Sequence, residues 1–290
     1  MSDLKGICVP ICTPFTSGGA ALDVKVFEAN IDSLIGNGVQ IIAINGGTGE
    51  FPFLSEDEKR KLAEVAVKRS NGRAKVVVQT SAIRTEDAVE NSKHADGIGA
   101  DALLILPPYF EGPGEAGVRW HYEQIAKAVK TPIMAYNIPV YTQFDITPEI
   151  FARFSEIDGI KYIKDSTADP SRIEKLVAQG AQVFCGCDYL NFFALINGAA
   201  GLFTGSGNVG PAQMAKLWSL VQSKKFDDAE KVWKTLQPIS RLLWTLPFNP
   251  VAKAASEMTG RPAGLCRMPV PPLTAEEMKH VEAAVAALSA

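Results

Sequence analysis

Short apolar runs rich in β-branched residues alternate along this chain with stretches whose apolar positions fall at helical spacing. The runs Gly6–Phe15, Val39–Asn45, Lys75–Thr80, Ala102–Leu106, Pro132–Tyr136, Asp158–Asp165, Gln182–Cys185 and Gly201–Thr204 are the expected strands. Between them, Asp23 is placed to cap a helix through Gly36, with Val26, Phe27, Ile31, Leu34 and Ile35 on one face. Ser55-Glu56-Asp57-Glu58 has the form of a capping box and opens a helix to about Ser70. Further helices are expected over Thr85–Asp96, Glu115–Val129, Thr147–Phe154, Pro170–Ala178, Tyr189–Ile196 and Pro211–Gln222. Eight strand–helix pairs without a linker predict an α/β fold with a closed parallel sheet, a (β/α)8 TIM barrel over residues 1–224. Residues 225–290 read as a C-terminal helical extension packed on the barrel, with helices over Phe226–Leu236, Asn249–Met258 and Ala275–Leu288, and not as a second catalytic unit.

Composition narrows the function classes. The net charge of -3 offers no basic excess for binding nucleic acid. No apolar run approaches a membrane span, and the opening Met1-Ser2-Asp3-Leu4-Lys5 lacks a signal-peptide core. Five cysteines, an odd number without framework spacing, point to a reduced cytoplasmic protein. Cys185-Gly186-Cys187 has no second pair to complete a zinc site, and the three histidines are scattered through helical stretches. A zinc site is therefore not expected.

The chemistry concentrates at strand ends. In Ile160-Lys161-Tyr162-Ile163-Lys164-Asp165, alternation puts Ile160, Tyr162 and Lys164 on one face and Lys161 and Ile163 on the other. Lys164 then stands at the carboxyl end, where such barrels carry their active sites. Among apolar and aromatic neighbours a lysine loses hydration and its pKa should fall, leaving an amine able to attack a ketone. Taken alone, a strand-end lysine more often reaches out into water. Tyr136 ends the neighbouring strand and could move protons beside the amine, although a lone tyrosine is more often a core residue with its hydroxyl satisfied. The turn Gly46-Gly47-Thr48-Gly49-Glu50 can present backbone N–H groups to a carboxylate, or be merely a tight strand-to-helix connection. Gly205-Ser206-Gly207-Asn208-Val209-Gly210 formally matches a dinucleotide fingerprint, but no strand with an acidic residue follows it, so it reads as a rim loop. Asp188 could meet substrate hydroxyls or cap the next helix.

With Gly46-Gly47-Thr48-Gly49-Glu50, Tyr136-Asn137-Ile138-Pro139 and Ile163-Lys164-Asp165-Ser166-Thr167 in this order, the chain resembles the dihydrodipicolinate synthase/N-acetylneuraminate lyase family over nearly its whole length. The resemblance implies a Schiff base between Lys164 and pyruvate or another small-molecule 2-oxo acid, with Tyr136 as acid/base. It also implies Gly47 and Thr48 at the carboxylate, no metal or organic cofactor, and a homotetramer. Ser166, Asp188 and Gly205 are the further substrate-binding candidates. The chain departs from synthases proper at Gly47, where they carry a hydroxyl residue, at Phe110, where they carry a second tyrosine, and at Tyr141, where they carry an arginine. Losing that carboxylate clamp is not conservative. The expectation is aldol cleavage or dehydration of a 2-oxo-3-deoxy sugar acid. The alternatives are 4-hydroxy-tetrahydrodipicolinate synthesis from pyruvate and aspartate semialdehyde, or a catalytically silent barrel that binds 2-oxo acids.

Overall fold

A computed structural model describes residues 3–289. Among these, eight parallel strands close into a barrel in chain order: β1 (Gly6–Pro10), β2 (Ile41–Ile44), β3 (Lys75–Gln79), β4 (Ala102–Ile105), β5 (Ile133–Asn137), β6 (Ile160–Asp165), β7 (Gln182–Cys185) and β8 (Gly201–Phe203). The (β/α)8 fold expected from the alternating pattern is the observed one. Strand alternation sorts the side chains into two cores. Ile42, Ile44, Val76, Val78, Leu103 and Ile105 face outward to the helices. Cys8, Ile41, Val77, Leu104, Met134, Tyr162, Phe184 and Phe203 fill the barrel interior.

The helices begin where local chemistry starts them. Asp23 accepts a hydrogen bond from Val26 N to cap Val24–Gly36. Ser55 and Glu58 form the reciprocal box that opens Glu56–Ser70. A 3-10 turn, Phe51–Phe53, intervenes between the glycine turn and that helix. β1 stops at Pro10, five residues short of the expected end, because Cys12 N and Thr13 Oγ1 bond to Asn208 and to Gly49 O, not to a neighbouring strand.

Two expectations fail for tertiary reasons. The helix beginning at Phe226 was expected to stop near Leu236, ahead of Pro238, but it continues to Thr245. Proline removes one hydrogen bond, and burial of Leu236, Ile239 and Leu243 against the barrel outweighs that loss. Ile160 was expected on the face of Tyr162 and Lys164, yet it belongs to the outer core with Ile163. The β5–β6 register shifts by one residue between Ile133 and Met134, so an extra residue, Lys161, is bulged outward into solvent.

The C-terminal segment is tied to the β2 turn. Lys253, on helix Phe248–Met258, lies 2.6 Å from Glu50 Oε1, and both side chains are shut away from solvent. That contact is ionic and not a well-angled hydrogen bond; Lys253 Nζ donates to Leu265 O at 3.0 Å and stands over the Phe15 ring. Glu50 Oε2 accepts from Arg267 N, and the Arg267 guanidinium grips Glu58 with two 2.8 Å bonds. Lys253→Ala would strand a buried carboxylate and is expected to lower unfolding free energy by about 3–5 kcal/mol, read as a shifted denaturant midpoint at unchanged m. The paired change Glu50→Gln with Lys253→Met should lose less than that single one.

Candidate active site

Lys164 is the last inward-facing residue of β6, and its register partner on β5 is Tyr136. Were Lys161 paired in register and not bulged, Tyr136 would have met Ile163. The pairing thus depends on the bulge. The Lys164 amine lies 3.8 Å from the centroid of the Tyr136 ring and 4.0 Å from that of Phe203, which seats the head group between two ring faces. The side chain is 6 % exposed. Gly186, after β7, makes room for it: a Cβ there would stand 2.9 Å from Lys164 Cε and closer still to Ser166 Oγ.

Asn137 locks the ends of β5 and β6 together. Its Nδ2 donates to Asp165 Oδ2 at 2.9 Å and to Asp145 Oδ1 at 3.0 Å, while its Oδ1 accepts from Ile146 N and its backbone O from Ser166 N. Burial pushes the Asp165 carboxyl above the usual carboxylate range, against hydrogen bonds from Thr167 and Asn137. Asp145 is gripped by two 2.8 Å bonds from Arg172, and that guanidinium holds its carboxyl below the usual range.

The glycine turn after β2 presents a cradle. Gly47 O is occupied by Glu50 N and by Asn249 Nδ2, each at 3.0 Å. Among the described residues the N–H groups of Gly47 and Thr48 and the Thr48 hydroxyl find no hydrogen-bond partner, so all three are available to an anion.

A cavity of about 780 Å³ brings the expected residues together. Gly47, Thr48, Tyr136, Lys164, Ser166, Asp188 and Gly205 all line it. Asp188 does not cap the following helix, one of the two roles its position suggested. Its Oδ1 accepts from Thr204 Oγ1, Ser206 N and Ser206 Oγ at 2.7 Å each, and its Oδ2 from Gly205 N at 3.3 Å, so it shapes the turn after β8. The glycines of that turn serve close packing: a Cβ on Gly205 would strike the Phe248 ring, and one on Gly207 would strike Val9. Tyr141 lines the cavity and stays largely exposed, and Phe110, which follows the lining residue Tyr109, is exposed as well. All five cysteines are free, and burial pushes the Cys185 and Cys12 thiols up to about 12.

Sequence reasoning missed Gly186, Asn249 and the walls supplied by the C-terminal helices. Gly186 had a signal, as the small residue directly after β7; Asn249 had none, because it reaches the β2 turn from a remote helix.

Residues 3–288 match the family model described as the dihydrodipicolinate synthetase family. The chain belongs to that family. The 4-hydroxy-tetrahydrodipicolinate synthase of Syntrophobacter fumaroxidans is 35% identical over 274 residues, covering 93% of this chain and 94% of its own. The dihydrodipicolinate synthase of Aquifex aeolicus superposes with a TM-score of 0.92 at 29% identity over 98% of this chain and 97% of its own. That of Acinetobacter baumannii, crystallised in complex with pyruvate, superposes with a TM-score of 0.93 at 28% identity over 99% of both chains. Membership of the dihydrodipicolinate synthetase family makes the protein a Schiff-base lyase of the class I aldolase type. Among the described residues no helix is long and apolar enough to cross a membrane.

Two outcomes follow from the geometry. Gly186→Ala should displace the Lys164 side chain and slow imine formation with a 2-oxo acid roughly 10- to 100-fold, measured by borohydride trapping over time. Asp145 is ionised and paired in the fold, with a carboxyl held below its ordinary value of 3.8. Its contribution is present above that value and lost as pH falls through the lower folded one. Asp145→Asn should therefore destabilise the protein at pH 7, and the gap from wild type in chemical unfolding should close below about pH 3.8.

Proposed function

We propose that Lys164 forms a Schiff base with the C2 carbonyl of pyruvate, or of a larger 2-oxo acid that releases it. The protein then makes or breaks the carbon–carbon bond one position further on. The observation that carries this reading is the Lys164 amine, withdrawn from water at the barrel mouth, opposite Tyr136 and lining the cavity. The amine adds to the ketone, Tyr136 relays protons as the carbinolamine loses water, and the iminium accepts the electron pair of the broken bond as an enamine. The free N–H groups of Gly47 and Thr48, with the Thr48 hydroxyl, hold the C1 carboxylate. Ser166 and Asp188 line the same cavity, which supports a part for Ser166 in binding the rest of the substrate and for Asp188 in shaping the turn beside it. The pyruvate complex of the Acinetobacter baumannii relative supports the choice of 2-oxo acid.

For the second partner, the names of the relatives support condensation of pyruvate with aspartate semialdehyde better than cleavage of the expected sugar acid. One observation weighs against importing that partner unchanged. Lys164 is the one Lys, Arg or His among the described residues lining the cavity, so the semialdehyde carboxylate would find no second cation. Carbon–carbon bond chemistry on the pyruvate enamine is common to both readings and is the conclusion drawn.

Borohydride added with pyruvate should raise the intact mass of the wild-type protein by one reduced adduct. Lys164→Ala should show none, while Tyr136→Phe should still trap, at a rate lowered roughly 10²- to 10⁴-fold, the usual contribution of a general acid/base. An unmodified wild type, or equal trapping in all three proteins, would overturn the assignment.

A further inference from the structure

Both free N–H groups of the carboxylate cradle belong to peptides whose carbonyl ends are already occupied. The Gly47 N–H shares a peptide with Gly46 O, which accepts from Phe51 N at 3.3 Å. The Thr48 N–H shares one with Gly47 O, which accepts from Glu50 N and from Asn249 Nδ2 at 3.0 Å each. A donor bonded to a peptide carbonyl polarises the whole group and strengthens its N–H, by roughly 10–30% per bond. Two of these three donors are backbone groups close by in the same segment. Asn249 is the one side chain among them, and it arrives from 202 residues away in sequence.

Orientation depends on the same bond. Gly47 is exposed, and a Cβ built on it would meet nothing within 4 Å. No packing therefore brakes rotation of the peptide that follows this glycine. The two hydrogen bonds at Gly47 O are what fix the aim of the Thr48 N–H. Asn249 is itself held in place, because Lys253, one helical turn further along the same face, is paired with Glu50 of the same glycine turn. Gly47, Thr48 and Asn249 all line the cavity that contains Lys164. A hydrogen bond to an ionised carboxylate is about twice as strong as one to a neutral acceptor, so a better aimed and more polarised N–H favours the anion above all.

We infer that Asn249 is a positioning residue for the substrate carboxylate. By bonding to Gly47 O it aims and strengthens the Thr48 N–H, and so sets the preference of Lys164 for 2-oxo acids over ketones that lack the carboxylate charge. This rests on the Schiff-base reading of Lys164 and the cradle reading of Gly47 and Thr48, and adds the residue that tunes them. Asn249 exchanges no proton and acts through Thr48. Its loss falls on the concentration of 2-oxo acid required and not on the rate once the site is full.

The test compares pyruvate with methyl pyruvate, which keeps the ketone and replaces the carboxylate by an ester. Borohydride trapping of the full-length protein is followed over a range of each. Wild type is expected to reach half-maximal trapping at a lower concentration of pyruvate than of the ester. Asn249→Ala should raise that concentration roughly 3- to 10-fold for pyruvate and less than about twofold for methyl pyruvate, with the rate at saturating pyruvate kept within about twofold. Asn249→Asp keeps the shape, cannot donate to Gly47 O, and should weaken pyruvate at least as much; it serves if the alanine variant does not fold. Equal weakening toward both ligands would make Asn249 a structural support only and overturn the inference. So would an unchanged pyruvate dependence in either folded variant. A wild type that fails to trap pyruvate removes the Schiff-base reading, one that traps both ligands equally well removes the cradle reading alone, and the inference falls with either.

Discussion

A nucleophilic amine has to be withheld from bulk water and still be reached by a substrate, and the pairing of β5 with β6 meets both demands. One extra residue in β6, Lys161, turns outward and brings Tyr136 opposite Lys164. The same shift moves Ile160 to the helix-facing core and leaves Tyr162 and Lys164 pointing inward. Asn137 then holds the two strand ends with bonds to Asp165, Asp145 and Ile146, so the register is fixed where the chemistry would occur. Fixed geometry of this kind lowers the reorganisation required when charge develops on the bound substrate.

The helical extension completes the cavity. Helix Phe248–Met258 sends Asn249 to the carbonyl of Gly47, Lys253 to Glu50 and Phe248 onto Gly205. The first two contacts hold the turn that leaves the Gly47 and Thr48 N–H groups free. The third puts a ring in the cavity wall. A barrel shorn of this segment would keep its lysine and lose both the support of the cradle and part of the cavity wall.

How much was readable in the chain depends on the range of each interaction. Asp23 and Ser55 cap the helices they were expected to cap, because a cap is settled within three residues. The helix Phe226–Thr245 ran past Pro238, since burial against the barrel is a long-range gain that local propensity does not contain. Asp188 lines the cavity, but its bonds to the turn after β8 come from residues sixteen to eighteen positions away, beyond the reach of a local pattern. Gly186 was read only for the cysteines flanking it, although its lack of a side chain is what seats Lys164.

By itself the sequence determined the eightfold alternation, the capped helices, and the reactive residue types at the strand ends. These follow from periodicity and short-range hydrogen bonding, which are written in neighbouring residues. Only the tertiary structure decided which residue faces which. Register across β5 and β6, the seat of Lys164 beside Gly186 and the cavity wall around Phe248 arise where segments distant in sequence are forced into contact. No local pattern encodes a bulge of one residue, yet that bulge sets the lysine against the tyrosine.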